Sequence, residues 1–160
     1  MWKLILGSLV VCITLAGADS RAQQVSPPPA PPFGAPITLE QAMKGADAAM
    51  AESKRLNSNM VIAVVEPSGA LVYFVKMDGA AYGSIKVAIA KARSAALFRR
   101  PSKDFADRVA KGDLSPMALA GAVASPGGVP IVINGKFVGA IGSSGGQDHQ
   151  VSQAGADAFK

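Results

Sequence analysis

Two pairs of apolar runs, each broken by a short turn signal, set what this chain can fold into. Met60-Val61-Ile62-Ala63-Val64-Val65 precedes Glu66-Pro67-Ser68-Gly69, and Leu71-Val72-Tyr73-Phe74-Val75-Lys76-Met77 follows. Apolar runs joined through a glycine-containing turn read as an antiparallel hairpin. Val129-Pro130-Ile131-Val132-Ile133 then meets Asn134-Gly135, a strong hairpin signal, and Lys136 to Ile141 returns. Both strands of the first hairpin are apolar on two faces, which predicts a central position under helices.

Helical spacing fills the intervals. Thr38 and Gln41 make a capping box, and Leu39, Ala42, Met43, Ala46, Ala49 and Met50 recur on one face, predicting a helix that ends near Asn57. Ile85, Ala88, Ile89, Ala92 and Ala96 form a narrow stripe of small residues that lets a second helix approach a sheet closely, with Lys86, Lys91 and Arg93 on the surface. Arg99-Arg100-Pro101 ends it. Ser102 caps a short helix carrying Phe105 and Val109, closed by Gly112. Met117 to Val123 forms at most a helical turn, and the last helix has Val151, Ala154 and Ala158 on one face. The order α-β-β-α-α-β-β-α predicts one α+β domain: an antiparallel sheet covered by helices.

The N-terminus reads as an export signal. Lys3 precedes an apolar run from Leu4 to Leu15, and small residues at Ser20 and Ala22 place a cleavage site after Ala22. The apolar run is too short for a span of roughly 20 residues, so no membrane span is expected once the signal is removed. Cys12, the single cysteine, leaves with the signal. Residues 23–36 are proline-rich and read as an extended, solvated linker, with the domain at 37–160 and the processed protein periplasmic or secreted.

One cysteine and one histidine in 160 residues exclude disulfide frameworks, zinc fingers, iron–sulfur clusters and covalent c-type haem attachment. A net charge of +5 admits anionic partners, but basic residues are spread along the chain without interleaved aromatics, so nucleic acid is not expected. Gly142-Ser143-Ser144-Gly145-Gly146 leads into the last helix, where free amides suit an anion, or simply a tight strand-to-helix turn. His149 offers an iron ligand, a general base, or a plain surface residue. Ser143, Ser144, Asp148 and His149 lie too close in sequence, and lack a nucleophile elbow, for a hydrolase triad. Arg99, Arg100 and Lys103 form a basic cluster for propionates or phosphates, or a solvated helix end. Met77, Met117, Tyr73 and Tyr82 are soft or phenolic ligand candidates, or core and rim residues.

Five segments stand together in order: Lys76-Met77-Asp78-Gly79-Ala80, Lys91-Ala92-Arg93-Ser94-Ala95, Phe98-Arg99-Arg100-Pro101-Ser102, Pro126-Gly127-Gly128-Val129-Pro130, and Gly139-Ala140-Ile141-Gly142-Ser143-Ser144-Gly145. In these the chain resembles the GlcG/HbpS-like family, labelled haem-binding or haem-degrading and related to the C-terminal domain of PduO proteins. The resemblance spans Ile37 to Lys160. Lys76 stands where the family usually has Arg, and Ser94 and Ser102 where it has Thr. An aliphatic residue is usual near Ser143. The N-terminal helix lacks the His of some haem-binding relatives.

The resemblance implies a profilin-like layered fold, a homo-oligomer from dimer to octamer, and reversible binding of haem b for scavenging, buffering or sensing. His149 is then the expected metal ligand, with Arg99, Arg100, Ser102, Met77 and Gly145 as haem contacts. A sensor or oxidoreductase is an expected partner. The alternatives are an enzyme acting on a tetrapyrrole or small carboxylate, for which no catalytic residue stands out, and an oligomeric accessory protein without a ligand. Mass spectrometry of the exported protein is expected to give a chain that begins at Gln23. A chain retaining residues 1–22 in the cell pellet would contradict export.

Overall fold

Turn chemistry, capping and side-chain periodicity divide the chain in the computed structural model, which describes residues 29–160. The elements are α1 (Leu39–Arg55), β1 (Val61–Val65), β2 (Leu71–Lys76), α2 (Gly83–Phe98), α3 (Ser102–Ala110), a 3-10 turn (Ser115–Ala118), β3 (Gly128–Ile133), β4 (Lys136–Ser144) and α4 (Asp148–Asp157). The four strands form one antiparallel sheet in the order β2-β1-β4-β3. Both hairpins form as expected. Asn134 and Gly135 both take positive φ, 50° and 73°, which matches the turn to the strand twist. The expected export signal and residues 23–28 lie outside the described residues.

Alternation along β1 divides the core in two. Ile62 and Val64 face a cluster with Ala42, Ala46 and Ala49 of α1 and Val151 and Ala156 of α4. Val61, Ala63 and Val65 face Ala88, Ala92, Ala95 and Ala96 of α2 on the other side. The sheet is therefore a middle layer between the α1/α4 pair and α2. The central position expected for the first hairpin holds only for β1, every residue of which is buried. β2 is an edge strand and only half-covered, because it pairs on one side alone.

The small-residue stripe of α2 does what its composition implies. A Cβ at Gly142 would collide with the carbonyl oxygen of Ala88 and the amide nitrogen of Ala92, and one at Gly128 with the carbonyl of Lys91. The helix backbone thus rests directly on β3 and β4. A second close crossing joins α1 to α4, where a Cβ on Gly155 would stand 2.7 Å from the carbonyl oxygen of Gly45. This crossing rotates α4 from its expected face. Val151, Ser152, Gly155 and Ala156 are buried, while Ala154 and Ala158 are only half-buried.

The capping box of α1 is present, with Gln41 N–H donating to Thr38 Oγ1 and Thr38 N–H to Gln41 Oε1. Leu39 and Met43 of the expected apolar face are nevertheless 57% and 42% exposed, since the helix seats on its alanines. Ser102 does not cap α3: Pro101 holds that position, and the Ser102 side chain turns inward. Residues 113–127 hold only the short 3-10 turn before Leu119.

The proline-rich linker is extended and largely exposed along its described length, yet its backbone is tied to β4. Gly34 N–H donates to the Phe137 carbonyl, Phe137 N–H to Pro32 and Ile37 N–H to Val138. These bonds use the stretch of β4 beyond the end of β1. Phe33 meets the buried Phe137 ring edge-on at 5.7 Å. Arg99 secures the segment from outside, donating to the Pro31 carbonyl at 2.9 Å with its guanidinium over the Phe33 ring.

Gly142→Ala is expected to cost at least about 1–3 kcal/mol in urea unfolding, because the obstructing atoms are helix backbone that cannot swing aside. Gly83→Ala, where an added Cβ meets nothing within 4 Å, is expected to be neutral or slightly stabilising.

Candidate functional site

The glycine turn after β4 is built around one carboxylate. Asp148 Oδ1 accepts the amides of Gly145 and Gly146, each at 2.9 Å. Its Oδ2 accepts from Lys91 Nζ at 2.5 Å, and the same ammonium lies 3.5 Å from the Ser143 carbonyl. Lys91 is 2% exposed, not on the surface as its place in the α2 pattern suggested. Hydroxyls complete the arrangement. Ser152 donates to the Gly127 carbonyl and Ser143 to the Asp148 carbonyl, and the Ser152 and Ser143 hydroxyls are 2.8 Å apart.

This geometry decides between the two readings of the turn. The anion that its amides favour is supplied by the chain itself, so Gly145 presents no free donor to a ligand phosphate or carboxylate. Lys91 is buried and Asp148 only partly so, and hydrogen bonds on both sides hold the pair, the arrangement under which a buried charge is tolerated. Ser143 is fully buried and contacts no imidazole, which rules against a local triad.

His149 is half-buried in the first turn of α4. Its Nδ1 is buried and finds no hydrogen-bond partner among the described residues. Iron-ligating imidazoles are normally oriented through the other ring nitrogen, and that support is missing here. Next to it, Gln150 donates to Glu52 of α1 at 2.7 Å. The Arg55 guanidinium holds the half-buried Glu52 carboxyl at about 2, well below its ordinary value, with Gln150 adding to the effect against some desolvation.

The remaining sequence candidates are distributed around the fold. Arg99 is committed to the N-terminal segment and adopts a left-handed backbone, φ 49°. Arg100 lines a small cavity of about 210 Å³ with Pro29, Pro31 and Asp104, and Lys103 pairs with Asp107. Ser102 is fully buried: its hydroxyl donates to the Ser125 carbonyl and accepts from Gly128 N–H, pinning the loop to β3. Met77 Sδ receives the Met60 amide at 3.5 Å beside the core. Tyr73 packs against the same core, whereas Tyr82 and Met117 are 84% and 69% exposed. The structure does not gather these residues into one pocket. Among the described residues no group of three His, Cys, Asp or Glu side chains is placed to hold a metal ion.

A groove that the sequence did not reveal runs along the outer side of α2. Lys86, Ile89, Ala90 and Arg93 face Gly121, Ala122 and Val123 across a cavity of about 370 Å³. A second hollow of about 470 Å³, lined by Ser68, Gly69, Ala70 and Leu97, shares Arg93 and Gly121 with the first. The loop is held there because the Val123 amide donates to Ser94 Oγ at 3.0 Å. Periodicity marked Lys86 and Arg93 only as surface cations. The opposite wall comes from a segment without a periodic pattern, some thirty residues on.

A sheet between helical layers, a glycine turn closed by its own carboxylate and a basic, partly apolar groove define a small α+β domain of the HbpS-like class. Residues 37–157 match the family described as haem degrading protein HbpS-like, and the chain belongs to that family. It is 34% identical over 110 residues to protein GlcG of Escherichia coli K12, covering 68% of this chain and 82% of that protein. The crystal structure of HbpS superposes with a TM-score of 0.71 at 29% identity, covering 79% of this chain and 92% of that one. A PduOC–haem complex shares the fold, with a TM-score of 0.69 at 23% identity, over 78% of this chain and 96% of that one.

Asp148→Ala strands a buried ammonium and two amides, and is expected to cost about 3–5 kcal/mol in chemical unfolding. Lys91→Met leaves the carboxylate bonded to both amides and is expected to cost about 1–3 kcal/mol. Equal losses for the two variants would contradict this unequal dependence.

Proposed function

We propose that this protein is exported through its N-terminal signal and binds haem b reversibly outside the cytoplasm, as a scavenger, buffer or sensor. The observation that carries this reading is the match to the haem-degrading HbpS-like family across nearly all of the folded region. A fold neighbour crystallised with haem supports the ligand class. The surface chemistry is compatible: an apolar groove with basic residues suits a flat ring bearing two carboxylates.

The iron is less well provided for. His149 is the one imidazole, and among the described residues no group orients its ring through Nδ1, as metal-ligating imidazoles are commonly oriented. Weak or absent axial ligation accords with reversible uptake and release. Assembly into a homo-oligomer, and a sensor or oxidoreductase that receives the loaded protein, belong to the same proposal.

Titration of the purified protein with hemin is expected to give a saturable, shifted Soret band. His149→Ala is expected to leave most of the affinity in place, and an altered spectrum in that variant would assign the imidazole to iron. A band that persists on incubation with a reductant marks binding, whereas decay with release of iron marks degradation. No saturable change with hemin would end the haem reading.

A further inference from the structure

We infer that the groove between α2 and the 121–123 loop is the porphyrin seat, and that it recognises the ring and its carboxylates rather than the iron. This rests on the haem-binding reading above and assigns it a place.

Three observations converge on this groove. First, its two hollows meet at Arg93 and Gly121, giving a continuous trough with Ile89, Ala90 and Val123 in one part and Leu97 in the other. Leu97 is 61% exposed, an apolar surface left open to water. Second, the residues lining the trough include Lys86 and Arg93 and no carboxylate, the Glu66 carboxyl at its edge accepting from the Ser68 hydroxyl. Lys86 and Arg93 are seven residues apart, hence on one side of α2 and separated by about 10 Å along its axis. Among the described residues neither takes part in an ion pair. Arg93 donates through Nε to the Gly69 carbonyl at 3.1 Å, which orients the guanidinium and leaves its terminal nitrogens for a carboxylate. Third, none of the lining residues has an imidazole, phenol, thiol or thioether. His149 belongs to α4, which covers the opposite face of the sheet. A tetrapyrrole in this trough is held by apolar contact and by its acidic groups, with no ligand from the trough to the metal.

The test compares hemin, iron-free protoporphyrin IX and protoporphyrin dimethyl ester, titrated into the purified protein and into the variants Lys86→Glu and Lys86→Glu/Arg93→Glu. Hemin and the iron-free ring are expected to bind with comparable Kd. The ester is expected to bind about tenfold more weakly, and the double reversal to weaken both acids by about tenfold or more and to reduce the salt dependence of binding. Circular dichroism and the unfolding midpoint of Lys86→Glu are expected to match the parent, since that side chain is exposed. Hemin binding that requires iron, or that survives both reversals, overturns the groove assignment and leaves haem binding standing. Binding of the iron-free ring without hemin supports the groove and removes the haem function. Failure of all three ligands removes both. Variants that change the mass by light scattering while porphyrin affinity holds make the groove a contact between copies and overturn the assignment.

Discussion

At Gly128 and Gly142 the backbone of α2 lies where a side chain on the sheet would have to be. The helix can settle there only because its own contacting residues, Ala88, Ala92 and Ala95, are also small. That approach carries Lys91 out of water, and a lysine so placed needs an anion. Asp148 supplies it from the start of α4, while also accepting the amides of the glycine turn. Helix packing on one side of the sheet, and the entry to the helix on the other, are thus coupled through one carboxylate. Burial of an ion pair is weak evidence of net stabilisation, but loss of one partner is costly, so the arrangement tolerates little variation.

The same coupling bears on where a ligand can act. A glycine-rich turn at a helix start invites an anion by its free amides. Here those amides are satisfied internally, and the adjacent serine hydroxyls are tied into a closed network. The outer side of α2 differs: among the described residues Lys86 and Arg93 form no ion pair there, and Leu97 remains exposed. A groove of this kind suits an amphipathic acid better than a metal ion, because it offers contact area and charge without a ligating atom.

Much of the fold was legible in local pattern. The capping box of Thr38 and Gln41, the Asn134-Gly135 turn and the alanine stripe of α2 each act within a few residues, and each appears where the sequence places it. Two readings differ from the structure for a common reason: local pattern makes Lys91 a surface cation and Ser102 a helix cap. In each case the partner is distant in the chain, Asp148 for Lys91 and Ser125 with Gly128 for Ser102. The linker is extended and exposed as its prolines imply, but its attachment to β4 and Arg99 is again a long-range contact. The functional candidates show the same limit, since Arg99, Met77, Gly145 and His149 were chosen by type and position, and the fold scatters them.

The amino-acid order alone determined the succession of helices and strands, the two hairpins and the closeness of α2 to the sheet, because these depend on periodicity, turn conformation and side-chain size. Only the tertiary structure decided that β2 lies at the edge, that the glycine turn is closed by its own carboxylate, and that a basic trough opens beside α2. Those features arise where segments far apart in the chain meet. Hydrogen bonds and cavities between such segments leave no repeating mark in either one.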